Sequence, residues 1–193
     1  LNNWSGAIPC VLAQYIHGLP TDMGVRLADV NGDGRADFIC NRDVALNTGN
    51  GWATSTAWTM PVFTVDNGID AGLRFMDVNH DSLLDIVQSY LYDSDLAHSV
   101  FQYVYLNNGN GWTYAPNWSI PAFFSISGDG GDIGVRITDV NGDGLDDLIT
   151  GDNDNYYQNT IYLGTGTGWA TSTAWVLPMS LNHTGIRILD YND

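Results

Sequence analysis

The sequence predicts an all-β chain built from a repeated unit of four antiparallel strands, and three observations predict it. All 22 acidic residues are Asp and all 6 basic residues are Arg, with no Glu or Lys in 193 residues. Their absence removes two good surface helix formers, while the abundant Asp, Asn and Gly favour turns. A six-residue segment recurs along the chain, and an Asp-rich loop follows it in the same register.

The recurring segment reads Gly24-Val25-Arg26-Leu27-Ala28-Asp29, then Gly72-Leu73-Arg74-Phe75-Met76-Asp77, Gly134-Val135-Arg136-Ile137-Thr138-Asp139 and Gly185-Ile186-Arg187-Ile188-Leu189-Asp190. The Asp positions 29, 77, 139 and 190 set spacings of 48, 62 and 51 residues. The chain therefore divides into 1–23 (the end of a preceding unit and a linker), 24–71, 72–133, 134–184, and 185–193 as the start of a fourth unit.

Within a unit the first strand alternates, Val25 and Leu27 facing one way and Arg26 and Ala28 the other. After the loop comes a second strand, Phe38-Ile39-Cys40, Ile86-Val87 or Leu148-Ile149-Thr150. A third ends at Leu46, Leu106 or Leu163 and enters a Gly-rich turn, where glycine supplies the positive φ of a tight hairpin. The fourth begins at Trp52, Trp112 or Trp169. Four antiparallel strands in roughly 40 to 60 residues describe a β-propeller blade better than a solenoid coil. A propeller ring takes at least about four blades. The expectation is a segment of a longer array, or one completed by a neighbouring copy through its unpaired strand edges, as a filament or a ring.

The loop Asp29-x-Asn31-x-Asp33-Gly34-x-x-Asp37 places oxygen side chains at positions 1, 3, 5 and 9, with the carbonyl of Arg35 available at 7. The pattern returns as Asp77, Asn79, Asp81, Leu83 and Asp85, and as Asp139, Asn141, Asp143, Leu145 and Asp147; Asp190 and Asn192 begin a fourth. Calcium takes six to eight hard oxygen ligands at about 2.3 to 2.6 Å, which a curled loop supplies from alternate positions. Cys40, Gln88 and Thr150 stand where an EF-hand needs Glu, so these are calcium loops between strands. Magnesium fits less well, because its rigid octahedral shell retains waters. An acidic turn without metal is the alternative, but it leaves three carboxylates packed together without a cation. In the middle loop His80 and Ser82 replace the glycines of the sharp turn, which predicts the weakest calcium site.

These units resemble the FG-GAP or VCBS-type repeats of integrin α-subunit propellers and of many secreted microbial proteins. The Asp-x-Asn-x-Asp-Gly-x-x-Asp loop carries the resemblance, although Gly-Asn-Gly-Trp and Gly-Thr-Gly-Trp stand where the FG-GAP tag would be. The resemblance implies blades with calcium on one rim and roles in adhesion or ligand binding.

A net charge of −16 disfavours nucleic acid and anionic membrane surfaces as partners. No apolar run approaches the roughly 18 residues of a membrane span. Cys10 and Cys40 form either one disulfide or a pair of free buried thiols. Sequons at Asn3, Asn117 and Asn182 mark candidate N-glycosylation sites. Together these point to an extracellular protein, secreted or at the cell surface.

Arg26, Arg74, Arg136 and Arg187 precede the first loop Asp by three residues, a placement that suits structural pairing with Asp of the same or a neighbouring unit, or capture of a carboxylate ligand. Trp52 and Trp58, Trp112 and Trp118, and Trp169 and Trp175 follow the repeat, with Trp4 before it, as packing anchors or sugar-stacking platforms. The units differ between loop and turn, where Tyr90, Tyr92, Asp93, Asp95 and His98, and Asp152, Asp154, Tyr156 and Tyr157, form either a binding face or longer hairpins. No catalytic constellation is present: the four His share no ligand spacing, and no carboxylate pair stands apart from the loops. The reading is a non-enzymatic, calcium-binding, extracellular repeat protein with a structural or adhesive role, partnered by copies of itself, further repeats, glycans or cell-surface proteins. The competing readings are a glycan-binding lectin and a non-catalytic repeat region of a larger secreted enzyme or toxin.

Overall fold

The computed structural model describes residues 15–16, 19–20, 22–94, 97–126, 131–151 and 159–177. Strands β1 (Tyr15–Ile16) and β2 (Leu19–Pro20) pair as a short ladder. The first unit is β3 (Val25–Ala28), β4 (Asp37–Cys40), β5 (Asp43–Asn47) and β6 (Trp52–Ser55), a sheet in which each strand pairs antiparallel with the next. A two-residue ladder of β7 (Val65–Asp66) and β8 (Ile69–Asp70) leads into the second unit. There β9 (Leu73–Met76), β10 (Asp85–Ser94), β11 (Ala97–Asn107) and β12 (Trp112–Tyr114) follow the same antiparallel order. After β13 (Ser125–Ile126) and β14 (Gly131–Asp132) comes the third unit, β15 (Val135–Thr138), β16 (Asp147–Thr150), β17 (Thr160–Gly164) and β18 (Trp169–Thr171). The chain is all-β over its described residues, and none of them forms a helix long and apolar enough to cross a membrane.

The fourth strand of each unit begins at the Trp after the Gly-rich turn, because that turn closes through one repeated bond. Thr48 N donates to Gly51 O at 2.9 Å, Asn108 N to Gly111 O at 3.1 Å and Thr165 N to Gly168 O at 2.9 Å. The 21-residue interval from Asp85 to Leu106 is a lengthened hairpin: β10 and β11 stay paired from Ile86↔Tyr105 out to Ser94↔Ala97. The other edge of β10 is shared, β9 covering Asp85 to Gln88 and β13 pairing in parallel with Tyr90 and Leu91. Gly72 makes that hand-over possible. At φ 66° its carbonyl accepts the Ser89 amide at 3.0 Å, and a Cβ there would overlap the Ser89 carbonyl.

The sheets pack face to face, so the hydrophobic clusters lie between units. One joins Ala28, Ile39, Val44, Trp58 and Met60 of the first unit to Leu73 and Ile86 of the second. The next joins Met76, Val87, Val104 and Ile120 to Leu148, with Val135 and Ile137 of the third unit packed on it. Adjacent residues of β10 therefore serve opposite interfaces, Ile86 the first and Val87 the second. Tryptophans reinforce both: Trp58 meets Trp112 edge-on at 5.5 Å, and Trp118 meets Trp169 at 5.7 Å. In each case the Trp ending one unit packs on the Trp that opens the last strand of the next, the anchoring role predicted for these residues. Trp175, the corresponding residue of the third unit, is 47% exposed.

Three of the repeated arginines are described. Arg26 pairs with Asp22 at 2.7 Å and reaches Asp70 at 3.4 Å, while Asp70 also holds Arg74 at 3.0 Å. One carboxylate thus ties the opening strands of two units together. The Arg26 bond and the Gly24 amide outweigh partial burial and hold the Asp22 carboxyl below its ordinary range. Arg136 has its own partners, and Arg187 lies outside the described residues.

Candidate functional site

The three Asp-rich loops share one backbone solution. In the first, Asp29 Oδ1 accepts the amides of Gly32 and Asp33, and Oδ2 that of Gly34, at 2.7 to 3.1 Å. In the third, Asp139 accepts those of Asn141, Gly142, Asp143 and Gly144. Burial opposes ionisation of Asp139, but these four donors prevail and lower its pKa. In the second, Asp77 accepts the amides of Asp81 and Ser82. The fifth-position carboxylates bond two residues onward, Asp33 to the Arg35 amide, Asp81 to Leu83 and Asp143 to Leu145. The Asn side chains of 31, 79 and 141 each donate to the fifth-position Asp at 2.9 to 3.3 Å.

Curling the loop this tightly demands positive φ at its fourth and sixth residues. Gly32 and Gly34 adopt 74° and 82°, and Gly142 and Gly144 adopt 77° and 85°. His80 and Ser82 are held at 64° and 68°, a region that L side chains enter at a cost.

Position 9 behaves differently from the other ligand candidates. Asp37, Asp85 and Asp147 are fully buried, each with one oxygen on an amide of its own loop and the other on the third strand. Asp37 accepts Val30 N at 3.0 Å and Asn47 N at 2.7 Å; Asp85 accepts Val78 N at 3.1 Å and Asn107 N at 2.7 Å; Asp147 accepts Val140 N at 2.9 Å and Gly164 N at 2.7 Å. Burial raises the pKa of all three despite these bonds, and the first- and fifth-position carboxylates of the same loop add to it. Asp85 is pushed up to about 7. This structural role is a feature the loop pattern alone does not reveal, since spacing marks position 9 only as an oxygen donor.

The donor set fits a hard cation: three carboxylates and an amide oxygen lie within nine residues, with no nitrogen or sulfur ligand among them. Mutual repulsion around the buried ninth carboxylate is what a cation would relieve. Among the described residues, no three Asp, His or Cys side chains converge as a metal-holding group. Arg35 instead donates its guanidinium to Asp33 at 2.7 Å. Asp190 and Asn192 lie outside the described residues.

All three loops sit on one edge of the stacked sheets and touch in sequence. Leu83 of the second loop lies against Gly32 of the first. His80 Nδ1 bonds the Gly144 carbonyl of the third at 2.8 Å, and its ring occupies the space a Cβ on Gly144 would need. Asn107 donates to Val30 O at 2.9 Å across the first interface. Across the second, Asp146 accepts the Asp77 amide; burial raises its pKa, that bond opposing and Asp77 and Asp139 adding to the rise.

Cys40 is disulfide-bonded, and Cys10, the other cysteine of the sequence, lies outside the described residues. Asn117 is exposed on the turn after β12, whereas Asn3 and Asn182 fall outside the description. Of the inserts, Tyr90 is buried and Tyr92 partly exposed on the long hairpin. Asp95 and residues 152–158 are not described.

With this geometry in place, the comparisons with known proteins fall on the same elements. Residues 139–193 match the model of the FG-GAP-like repeat, a segment that opens with the third loop. The family resemblance read from the loops is met there by direct sequence similarity. A chain of the Tc holotoxin pore of Photorhabdus luminescens aligns with 83% of this chain at a TM-score of 0.51 and 20% identity. The alignment spans 7% of that toxin chain, so the likeness is one of fold over a small part of a large protein. No curated protein matches by sequence.

Proposed function

We propose that this chain is a non-catalytic, calcium-stabilised array of propeller-type blades within a larger extracellular protein, where it serves a structural or adhesive role. The observation that carries the reading is the threefold repetition of one oxygen-rich loop, in the same register, along one edge where the units meet. Asp29, Asn31, Asp33, the Arg35 carbonyl and Asp37 would hold the first ion. Asp77, Asn79, Asp81, the Leu83 carbonyl and Asp85 would hold the second, and Asp139, Asn141, Asp143, the Leu145 carbonyl and Asp147 the third. Calcium would supply positive charge to three carboxylates set within nine residues, drawing them together and so favouring the folded loop. Because the loops touch across units, each ion would stiffen an interface as well as a turn.

The fold likeness to a segment of a large toxin chain supports the repeat-region reading over that of a free-standing module. The half-exposed Trp175 supports a further partner at that end of the stack, either another unit or a second copy. Its equivalents Trp58 and Trp118 are both engaged by a following unit.

The test is thermal melting during calcium titration of chelator-treated protein. A ligand that binds only the folded state at 100 times its Kd adds about 2.7 kcal/mol per site. For a chain of this size that corresponds to roughly 5 to 11 °C per site. A melting temperature indifferent to calcium and to chelator overturns the metal reading.

A further inference from the structure

Away from the loops, a groove of about 370 Å³ opens between the segment that closes the first unit and the long hairpin of the second. Phe63 and Asp66 form one wall, Phe101, Tyr103 and Tyr105 the other, and Gln88 the floor. The volume falls in the roughly 300 to 1,000 Å³ range of small-ligand sites. No loop carboxylate lines it.

The aromatic wall follows from strand geometry. Phe101, Tyr103 and Tyr105 alternate along β11, so their rings stand on one face at a repeat of about 6.8 Å. Tyr103 and Tyr105 are 6.4 Å apart, and Tyr114 of β12 extends the strip 5.2 Å from Tyr105. Phe101 is 39% and Tyr114 50% exposed. Tyr103 and Tyr105, between them, are partly buried and pack on the first hydrophobic cluster, so the strip is anchored from beneath while its rings line the groove. The arrangement is a flat ribbon and does not enclose a point, which suits an extended ligand better than a single cation.

Gln88 sets the polar requirement. It is 6% exposed, and its Nε2 donates to the carbonyls of Phe63 at 3.0 Å and Ala71 at 2.9 Å. Both partners are acceptors, so the amide is fixed with its oxygen opposite, and among the described residues Oε1 has no hydrogen-bond partner. Oε1 is not sealed off from solvent; on the groove floor it offers an open acceptor to a ligand donor. Asp66 on the wall balances Arg42, which stacks on the Phe63 ring at 5.2 Å, so the groove carries no net local charge to select an ion, and the net charge of −16 disfavours an anion.

We propose that this groove binds a neutral glycan chain, its sugar rings lying along Phe101, Tyr103 and Tyr105 and running on to Tyr114 beyond the groove's end, with one hydroxyl donating to Gln88 Oε1. Pyranose rings meet both demands. Their C–H faces carry the partial positive charge that complements the negative face of an aromatic ring, and their hydroxyls donate.

The full chain is titrated by calorimetry and saturation-transfer NMR with cellohexaose, chitohexaose and maltohexaose. A heparin hexasaccharide, choline and an apolar hexapeptide serve as competing classes. The expected result is binding of at least one neutral hexasaccharide, with transfer strongest to its C–H face protons. Phe101→Ala and Tyr114→Ala each weaken that binding by roughly threefold to tenfold, while Trp175→Ala, outside the groove, leaves it unchanged. Melting curves confirm that each variant folds, and Tyr114→Ala serves if Phe101→Ala does not. Absence of neutral-sugar binding by folded protein, binding indifferent to both ring deletions, or preference for heparin, choline or the peptide overturns the proposal. Failure of the calcium reading is separately visible, as a melt that ignores chelator.

Discussion

Replacing Ser82 by glycine tests the loop geometry at its most strained point. Ser82 is held at φ 68°, and a left-handed conformation costs an L residue roughly 1 to 2 kcal/mol. Glycine removes that cost but adds unfolded-state freedom worth about 0.4 to 1 kcal/mol. The net expectation is about 0.5 to 1 kcal/mol of stabilisation, or roughly 1 to 4 °C in melting temperature for a chain of this length. The bond from the residue 82 amide to Asp77 Oδ2 at 2.8 Å survives the change, since it involves only backbone. The inverse substitution, Gly34→Ser, has clear space for its Cβ, so its cost is conformational alone and should be of equal size and opposite sign. Calorimetry of both variants in chelator isolates the backbone effect, and a calcium titration then asks whether Ser82→Gly strengthens the second site. A lower melting temperature for Ser82→Gly, or a neutral Gly34→Ser, refutes the reasoning.

Other substitutions probe the interfaces and the buried carboxylates. Trp58→Ala, at a buried site against Trp112, should cost about 3 kcal/mol or more by urea denaturation, while Trp175→Ala should change stability by less than about 1 kcal/mol. Asp70→Asn breaks the carboxylate shared by Arg26 and Arg74 and should cost about 1 kcal/mol, a partly exposed pair being worth little more; the loss should shrink at high salt. In metal-free protein, Asp85 has a folded pKa of about 7 against an unfolded value of about 3.9. The folded state then binds more protons than the unfolded across that window, so stability falls as pH rises from about 4 to 7. Chelator-treated protein should therefore melt higher at pH 5 than at pH 7 by about a few degrees or more, and Asp85→Asn should flatten that slope.

The sequence made the strands legible because each boundary is set by a local chemical cue. The Trp residues after the Gly-rich turns open β6, β12 and β18, since those turns close by short-range backbone bonds onto a glycine carbonyl. The loops were legible for the same reason, their Asp and Asn side chains acting within a few residues of one another. What stayed hidden depends on distant chain. Period-two alternation shows that Ile86 and Val87 point to opposite faces, but when sheets stack, both faces are buried and the pattern does not say which interface each joins. Nor does it show that Tyr90 and Leu91 would gain a parallel partner in β13. The aromatic ribbon of Phe101, Tyr103 and Tyr105 was likewise obscured, because the neighbouring wall comes from residues some 40 positions earlier in the sequence.

The ninth-position aspartates explain how loop and blade are coupled. Asp37, Asp85 and Asp147 each bridge the amide that begins the loop's turn to the amide that ends the third strand, so a carboxylate counted as a ligand is also a cross-brace of the sheet. Removing one oxygen's charge, as in Asp85→Asn, would leave one amide facing a poorer acceptor or none. Removing the whole group would leave two buried amides without partners, at about 1 to 3 kcal/mol each. A calcium ion shared with the first and fifth carboxylates would act on the same oxygens that brace the strand. On the calcium reading, ion affinity and sheet stability would therefore belong to one equilibrium: a substitution that loosens the third strand at Asn47, Asn107 or Gly164 should weaken ion binding in its own loop without touching a proposed ligand.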